Sequence, residues 1–474
     1  MRATFLPNIR RSFGRKIEAA GQPAAALALC ALILAGCGGG PGAAPPVTVP
    51  SLALPPMRTF APHAAPAPAR SNTEMARDFA DLSFSLESGR PLEAFSRYEG
   101  PIRVRMTGEA PATAAEDLGR LLARLRAEAG IDIRPATTGD EAEITIAFLP
   151  RRVMQARVPR AACFVAPRVG SWDEYRRARR GDLDWTTITV RDRAAIFIPN
   201  DTAPQEIRDC LHEELAQALG PLNDLYRLPD SVFNDDNIHT VLTGFDMLML
   251  RATYAPELRS GMTPGAVNAA IPSILARLNP RGQRGGSAFP DPTPRAYVDA
   301  IETALGPGAG QARREAAART AVAIATERGW TDGRAGFAWL ALGRLTLARD
   351  LKVSEGAFRQ AEIIYSARPG FALQQAHVDM QLSAFALSAG RIDEVLARTA
   401  RAAPLAAGAE NAALLSSLLM VRAEALDLAG RPAEARQVRL DSLGWARYGF
   451  GSDAEIRDRL AGIAALVPIA ITRP

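Results

Sequence analysis

The sequence predicts an α+β domain followed by an all-α domain, and three observations predict it. β-like runs alternate with amphipathic helical stretches between residues 100 and 220, no convincing strand follows residue 296, and helix breakers crowd the stretch between Asn279 and Arg295 (Pro-Arg-Gly-Gln-Arg-Gly-Gly-Ser-Ala-Phe-Pro-Asp-Pro-Thr-Pro). The 474 residues exceed what one hydrophobic core usually supports, and a hydrophobic content of 47% is enough to fill two. The expected divisions are a leader over 1–36, a tether over 37–70, a first domain over 71–278, a linker over 279–296 and a helical module over 297–474.

The leader begins basic and then becomes apolar, from Ala24 to Ala35, before Gly36-Cys37. That order predicts a signal peptide, because the apolar run is short for a stop-transfer helix crossing ~30 Å of hydrocarbon. Leu34-Ala35-Gly36-Cys37 resembles the lipobox of bacterial lipoproteins, which implies an acylated Cys37 anchoring the chain to a membrane. Gly38 stands where an Asp would mark inner-membrane retention, so the resemblance points to a periplasm-facing protein of the outer membrane. From Gly38 to Arg70 the chain is Gly-, Ala- and Pro-rich with almost no charge, which predicts an extended tether.

The formal charge of +5 is concentrated in the leader, where Arg2, Arg10, Arg11, Arg15 and Lys16 against Glu18 give +4. A body near +1 with both signs interspersed predicts no nucleic-acid partner.

The first domain opens with Ser71-Asn72-Thr73-Glu74, the spacing of a capping box, ahead of a helix from about residue 72. Strands are expected at Ile102–Met106, Glu143–Phe148, Thr186–Val190 and Ala194–Pro199, and helices at Ala114–Ala129 and from Pro204. Cys163 and Cys210 are the cysteines that remain once the leader and Cys37 are set aside, and an oxidising compartment predicts that they pair; the alternative is two buried thiols.

Candidate chemistry lies in Asp209-Cys-Leu-His-Glu-Glu-Leu-Ala-Gln-Ala-Leu-Gly-Pro-Leu-Asn-Asp224. Zinc ligands one helical turn apart would be needed, and from His212 that turn lands on Ala216. Shifted by one residue, the stretch resembles the metzincin motif H-E-x-x-H-x-x-G-x-x-H/D. Glu213 then stands at the first ligand, Glu214 at the general base, Gln217 at the second ligand, Gly220 at the turning glycine and Asn223 or Asp224 at the third ligand. Ser231-Val232-Phe233 resembles the metzincin Met-turn with Phe for Met, and Leu242-Thr243-Gly-Phe-Asp246 with the run to Tyr254 is similar to the final matrixin helix. The resemblance implies a zincin-like domain with its ligands replaced. The set also resembles a proteobacterial family of putative lipoproteins of unknown function. Carboxylate and amide ligands suit zinc poorly, so no metal and no cofactor is expected; His212, Asp235, Asp236 and His239 are the alternative ligands. The polar set then forms either an arginine-bonded network replacing the metal or an inherited ligand cleft.

In the second half, Trp339-x-x-Leu342-Gly343 with Ala357 and Pro369 resembles a tetratricopeptide repeat, and Ala389-Gly390-Arg391 and Ala429-Gly430-Arg431 echo it forty residues apart. The resemblance implies about three helix pairs that hold a peptide or protein; a plain bracing bundle is the alternative. Two functions follow. One is a lipid-anchored, non-catalytic binding platform contacting the membrane through acylated Cys37. The other is a metal-dependent hydrolase with Glu213 or Glu214 as base.

Overall fold

The computed structural model describes residues 54–61, 64–285 and 291–468; the leader, Cys37 and the front of the tether lie outside them. The first region is built from α1 (Asn72–Ser83), β1 (Ile102–Gly108), α2 (Ala114–Ala129), β2 (Ile133–Pro135), β3 (Ile144–Leu149), α3 (Arg151–Gln155), β4 (Phe164–Pro167), α4 (Trp172–Arg177), β5 (Ala194–Pro199), α5 (Pro204–Leu219), α6 (Gly244–Thr253) and α7 (Pro264–Leu278). The sheet order is β2-β1-β3-β5-β4. β1, β2, β3 and β5 run parallel, with Val104 opposite Ile144 and Ile146 opposite Ile196, and β4 pairs antiparallel with β5 at the edge.

The two sheet faces are covered differently. Ile146, Phe148, Ile196 and Ile198 face a large core closed by α1, α2, α5, α6 and α7, while Ala147, Ala195 and Phe197 meet a smaller aromatic layer of Phe164, Trp172 and Tyr175. Both faces of β3 and β5 are therefore apolar, as a parallel sheet covered on both sides requires.

The capping box closes as expected: the Ser71 hydroxyl accepts from the Glu74 amide and Glu74 reaches back to the Ser71 amide at 3.0 Å. The strand expected at Thr186–Val190 is not there. A 3₁₀ turn spans Trp185–Thr187 because the Asp184 carboxylate takes the Thr186 amide at 3.0 Å, and the Thr187 and Ile188 amides bond locally to Asp184 and Trp185. Those amides are then spent on a turn and cannot enter a ladder. β2 and β4, with three and four residues, carried too short a pattern to be expected.

The second region is all-helical: α8 (Arg295–Leu305), α9 (Gln311–Glu327), α10 (Gly333–Thr346), α11 (Leu351–Ser366), α12 (Ala372–Ser388), α13 (Ile392–Gly408), α14 (Ala412–Leu428), α15 (Pro432–Phe450) and α16 (Asp453–Ala464). α10–α11, α12–α13 and α14–α15 are successive helical hairpins. Gly390 and Gly430 close two of them in the left-handed region at φ 69° and 70°. Gly343 lets α10 press onto α11, since a Cβ there would stand 2.6 Å from the Phe358 ring.

Two expected spacers are attached to the body. In the tether, Phe60 stacks on Trp445 at 4.4 Å, the Arg58 amide donates to the Gly444 carbonyl at 3.0 Å, and the Pro66 carbonyl lies where a Cβ on Gly244 would be. In the linker, Asn279 exchanges hydrogen bonds with Asn72, and Asp291 accepts from the Trp330 indole at 2.6 Å. A proline-rich composition set both expectations, but aromatic and arginine side chains spaced along these segments give them something to bury.

Candidate functional site

The candidate motif lies on α5, which starts with Pro204 at its first turn and ends at Gly220. A Cβ at Gly220 would come 3.0 Å from the Thr253 side chain of α6, so the end of α5 packs closely on the end of α6. From Cys210 to Asn223 every residue is buried. Glu213, Glu214 and Gln217 are 4%, 3% and 6% exposed, which leaves no open cleft above them.

Around this helix the three pieces of the candidate motif do converge. Gln217 donates to the Asp224 carboxylate at 3.4 Å, and Asn223 donates instead to the Asp81 carbonyl at 2.9 Å while its own Oδ1 accepts from the Asp224 amide. The Ser231 hydroxyl donates to Asp246 at 2.5 Å and the Val232 amide donates to the other oxygen of the same carboxylate at 3.1 Å, so the Ser231-Val232-Phe233 turn is fastened to the start of α6. Phe233 is fully buried in the main core to which α5 also contributes, and the Tyr254 hydroxyl donates to the Leu219 carbonyl at 3.0 Å.

The alternative ligands are occupied in structural roles. His212 Nδ1 accepts from the Leu242 amide at 3.0 Å, and burial followed by the charges of Arg208, Arg124 and Arg120 holds its pKa well below the ordinary value. Asp235 accepts from the Tyr226 hydroxyl at 2.6 Å, Asp236 from the Ile238 amide at 3.0 Å, and His239 Nε2 lies 3.1 Å from the Pro229 carbonyl. Among the described residues no three His, Cys, Asp or Glu side chains converge as metal ligands.

Sequence reasoning missed what secures the two ends of α5. Arg191, 5% exposed, donates to the carbonyls of Gln217 at 2.6 Å, Ala218 at 2.8 Å and Gly220 at 2.5 Å, a cation placed on the negative end of the helix. Burial brings its pKa down to about 10, so it remains charged at neutral pH. Nothing distinguished this arginine from its many neighbours in sequence. Earlier on the helix, Arg208 pairs with Glu410 of the helical region at 2.8 Å, and Gln205 bonds both Asn411, at 3.1 Å, and the Ala413 amide, at 2.9 Å. Cys163 and Cys210 form a disulfide that joins α5 to the approach of β4.

After α5 the chain from Tyr226 to Val241 runs into the helical region. Tyr226 packs edge-on against Tyr297 at 5.7 Å and near Phe337 at 6.3 Å. Gln374 of α12 donates to the Pro229 carbonyl at 2.7 Å, and Ile238 is buried among Leu373, Ala376, Ala402, Leu414 and Leu418. Two surface depressions, of about 280 and 490 Å³, lie around Tyr98–Pro101 at the N-terminal edge of the sheet; Tyr254 lines one and Arg191 the other, and neither is lined by Glu213, Glu214, Gln217, Asn223 or Asp224.

Residues 72–273 match a family described as protein of unknown function (DUF2927). The match runs from α1 into α7 and covers the sheet, α5 and α6. No curated protein and no solved structure matches the chain.

Proposed function

We propose that this protein is a lipid-anchored envelope protein in which a metzincin-like domain, stripped of its zinc ligands, serves as a non-catalytic platform welded to a tetratricopeptide-like module. The burial of Glu213, Glu214 and Gln217 on a helix with no cleft above it carries the reading, because hydrolysis requires a base and an ion that a substrate can reach. The meeting of α5, the Ser231–Phe233 turn and α6 supports the metzincin-like ancestry. Helical hairpins beginning at Gly333, Ala372 and Ala412 support the repeat reading. The face of α10, α12 and α14 that such a repeat would offer to a peptide is filled by this chain's own Tyr226–Val241 segment, so an outside partner uses another surface. The hydrolase alternative retains one supporting contact, the Gln217–Asp224 pair.

Elemental analysis of the full chain, purified without added metal or chelator, tests the platform. The expected protein is folded, metal-free and inert towards peptides. Stoichiometric transition metal that is lost on Gln217→Ala, in a variant that stays folded, would restore the hydrolase. The anchor is tested separately by metabolic labelling with a clickable palmitate: label on the wild type and none on Cys37→Ala is expected, and an unlabelled wild type would remove the anchor.

A further inference from the structure

The arginines of the body are not evenly interspersed. Residues 151–193 contain eleven arginines against five acidic residues, a net +6, so the rest of the chain beyond the leader is net −5. Apart from Arg191, which is buried against the end of α5, the fold gathers them on one surface. α3, α4 and the loops between them cover the face of the sheet formed by Ala147, Ala195 and Phe197, packing on the aromatic layer of Phe164, Trp172 and Tyr175. Arg157 lies close enough to Tyr175 to act on its hydroxyl, Arg193 pairs with Glu174 at 3.0 Å, and Arg168 donates to Thr187 at 2.8 Å. The side chains therefore radiate from a single cap. Arg152, Arg157, Arg160, Arg179 and Arg180 are exposed, and among the described residues no carboxylate pairs with them.

We infer that this arginine-rich cap, residues 151–193, is a docking surface for an anionic phospholipid membrane. Charge complementarity is the first argument: with buried Arg191 set aside, a net +5 on one cap of an otherwise acidic body attracts a negative lipid surface and orients the body on it. The second is chemical. Trp172, Tyr175 and Phe164 are half-buried beneath the cap's arginines, and aromatic rings beside arginines suit a headgroup boundary. The third is position. Leu54 packs with Leu443 and Ile456 on α15 and α16, Gly451 at the end of α15 touches Ala203 before α5, and Arg151 at the edge of the cap pairs with Glu206 in the first turn of α5 at 3.3 Å. The earlier chain thus meets the body at the end of α5 that borders the cap. Cys37 is 17 residues before Leu54, a contour of about 60 Å when extended. The position argument alone borrows the anchor from the proposed function; the charge and the aromatic layer stand without it.

The test uses the full chain carrying Cys37→Ala, so that an acyl chain cannot account for binding, in flotation with vesicles of phosphatidylcholine alone or mixed with phosphatidylglycerol. Two sets of substitutions at Arg157, Arg160, Arg177 and Arg180 are compared, one to Glu and one to Gln, all at exposed positions and all with the same leader. The anionic vesicles are expected to carry the unsubstituted chain and the neutral ones not. The Glu set should bind at least roughly 100-fold more weakly, the Gln set should fall between, and about 0.5 M salt should release the protein. Equal binding to both vesicle types, or a Glu set that floats like its parent, overturns the inference. So does release of the vesicle-bound chain by an equimolar duplex DNA, which would make the cap a nucleic-acid surface instead.

Discussion

The Arg208 guanidinium on α5 meets the Glu410 carboxylate at 2.8 Å, joining the motif helix to the turn between α13 and α14. Arg208 is 2% exposed, and it also lies 5.5 Å from the Phe60 ring and 5.0 Å from the Tyr448 ring, so tether, motif helix and helical region share one cation. Glu410 keeps φ at +52°, a left-handed conformation that costs a non-glycine residue about 1 kcal/mol. That conformation is retained because both its carboxylate and its carbonyl accept from Arg208. Glu410→Ala should lose roughly 3 kcal/mol of stability, since it leaves the guanidinium buried without its counter-charge. Glu410→Gly should lose about 1 kcal/mol less, because it relaxes the backbone as it removes the same carboxylate. Urea unfolding of the two variants separates these terms, and equal losses would refute the backbone part.

At the other end of the same helix, Arg191 holds the last carbonyls without touching the motif carboxylates. Its planar fork bonds three carbonyls at once, and the Ser96 hydroxyl accepts from its Nε at 3.2 Å. An ammonium on a flexible stem cannot reproduce that fork. Arg191→Lys should cost about 2 kcal/mol and Arg191→Met about 3 kcal/mol or more, the second leaving three buried carbonyls without a donor. If thermal melts showed Arg191→Met to be as stable as the parent, α5 would have to be held by packing alone.

The disulfide constrains the same helix from the side. Cys163 and Cys210 are 47 residues apart, and a loop of that length predicts about 4 kcal/mol of stabilisation from the restricted unfolded chain. Cys163→Ser with Cys210→Ser should lower stability by about that amount, and the parent in reductant should match the double variant. A reduced parent that unfolds at the same denaturant concentration as the oxidised one would show that the bond only decorates the fold.

Much of the fold was legible in the sequence because local signals agreed with tertiary demands. Ser71 and Glu74 marked a helix start, Ala114–Ala129 matched a helix residue for residue, and the runs ending at Phe148 and Pro199 became the two central strands. The Trp185–Thr187 turn was read as strand because an Asp side chain two residues away decided where the amides would bond. The candidate site was legible as a pattern but not as an environment. Glu213, Glu214 and Gln217 could be placed on one helix, yet that helix is fastened to the helical region by Arg208 on Glu410 and Gln205 on Asn411, about 200 residues downstream. No local pattern encodes such a contact. Arg191 and Glu410 were missed for the same reason: their partners are backbone groups or a distant side chain.

Three buried histidines set how this seam responds to acid. Burial, with the positive charge of Arg344 and the proximity of His239, holds His377 down to about 3, and burial likewise lowers His212 and His239. The native state refuses protons that the unfolded chain takes at about 6.5, so the stability these groups contribute is complete above that pH and is lost as pH falls below it. Each loses at most about 1.4 kcal/mol per pH unit until its own folded value is reached. Asp246 acts in the opposite sense: burial pushes it up to about 6 despite its hydrogen bonds from Ser231, Thr243 and Val232, so it favours the fold as pH falls from there towards the ordinary carboxylate range. The partly exposed carboxylates Asp140 and Asp184, held at about 2 by hydrogen bonds, stabilise the fold fully at neutral pH and lose that contribution only below about pH 4. Burial also raises Asp117 and Glu206, which oppose the histidines nearer the ordinary carboxylate range, so the decline is expected between about pH 6.5 and pH 5, where the three lowered histidines outnumber Asp246. His377→Gln should flatten the decline, and Asp246→Asn should steepen it by removing the opposing term. Denaturation midpoints across that interval measure all three chains; a midpoint that rises on acidification, or one indifferent to His377→Gln, would mean the histidines are not neutral within the seam.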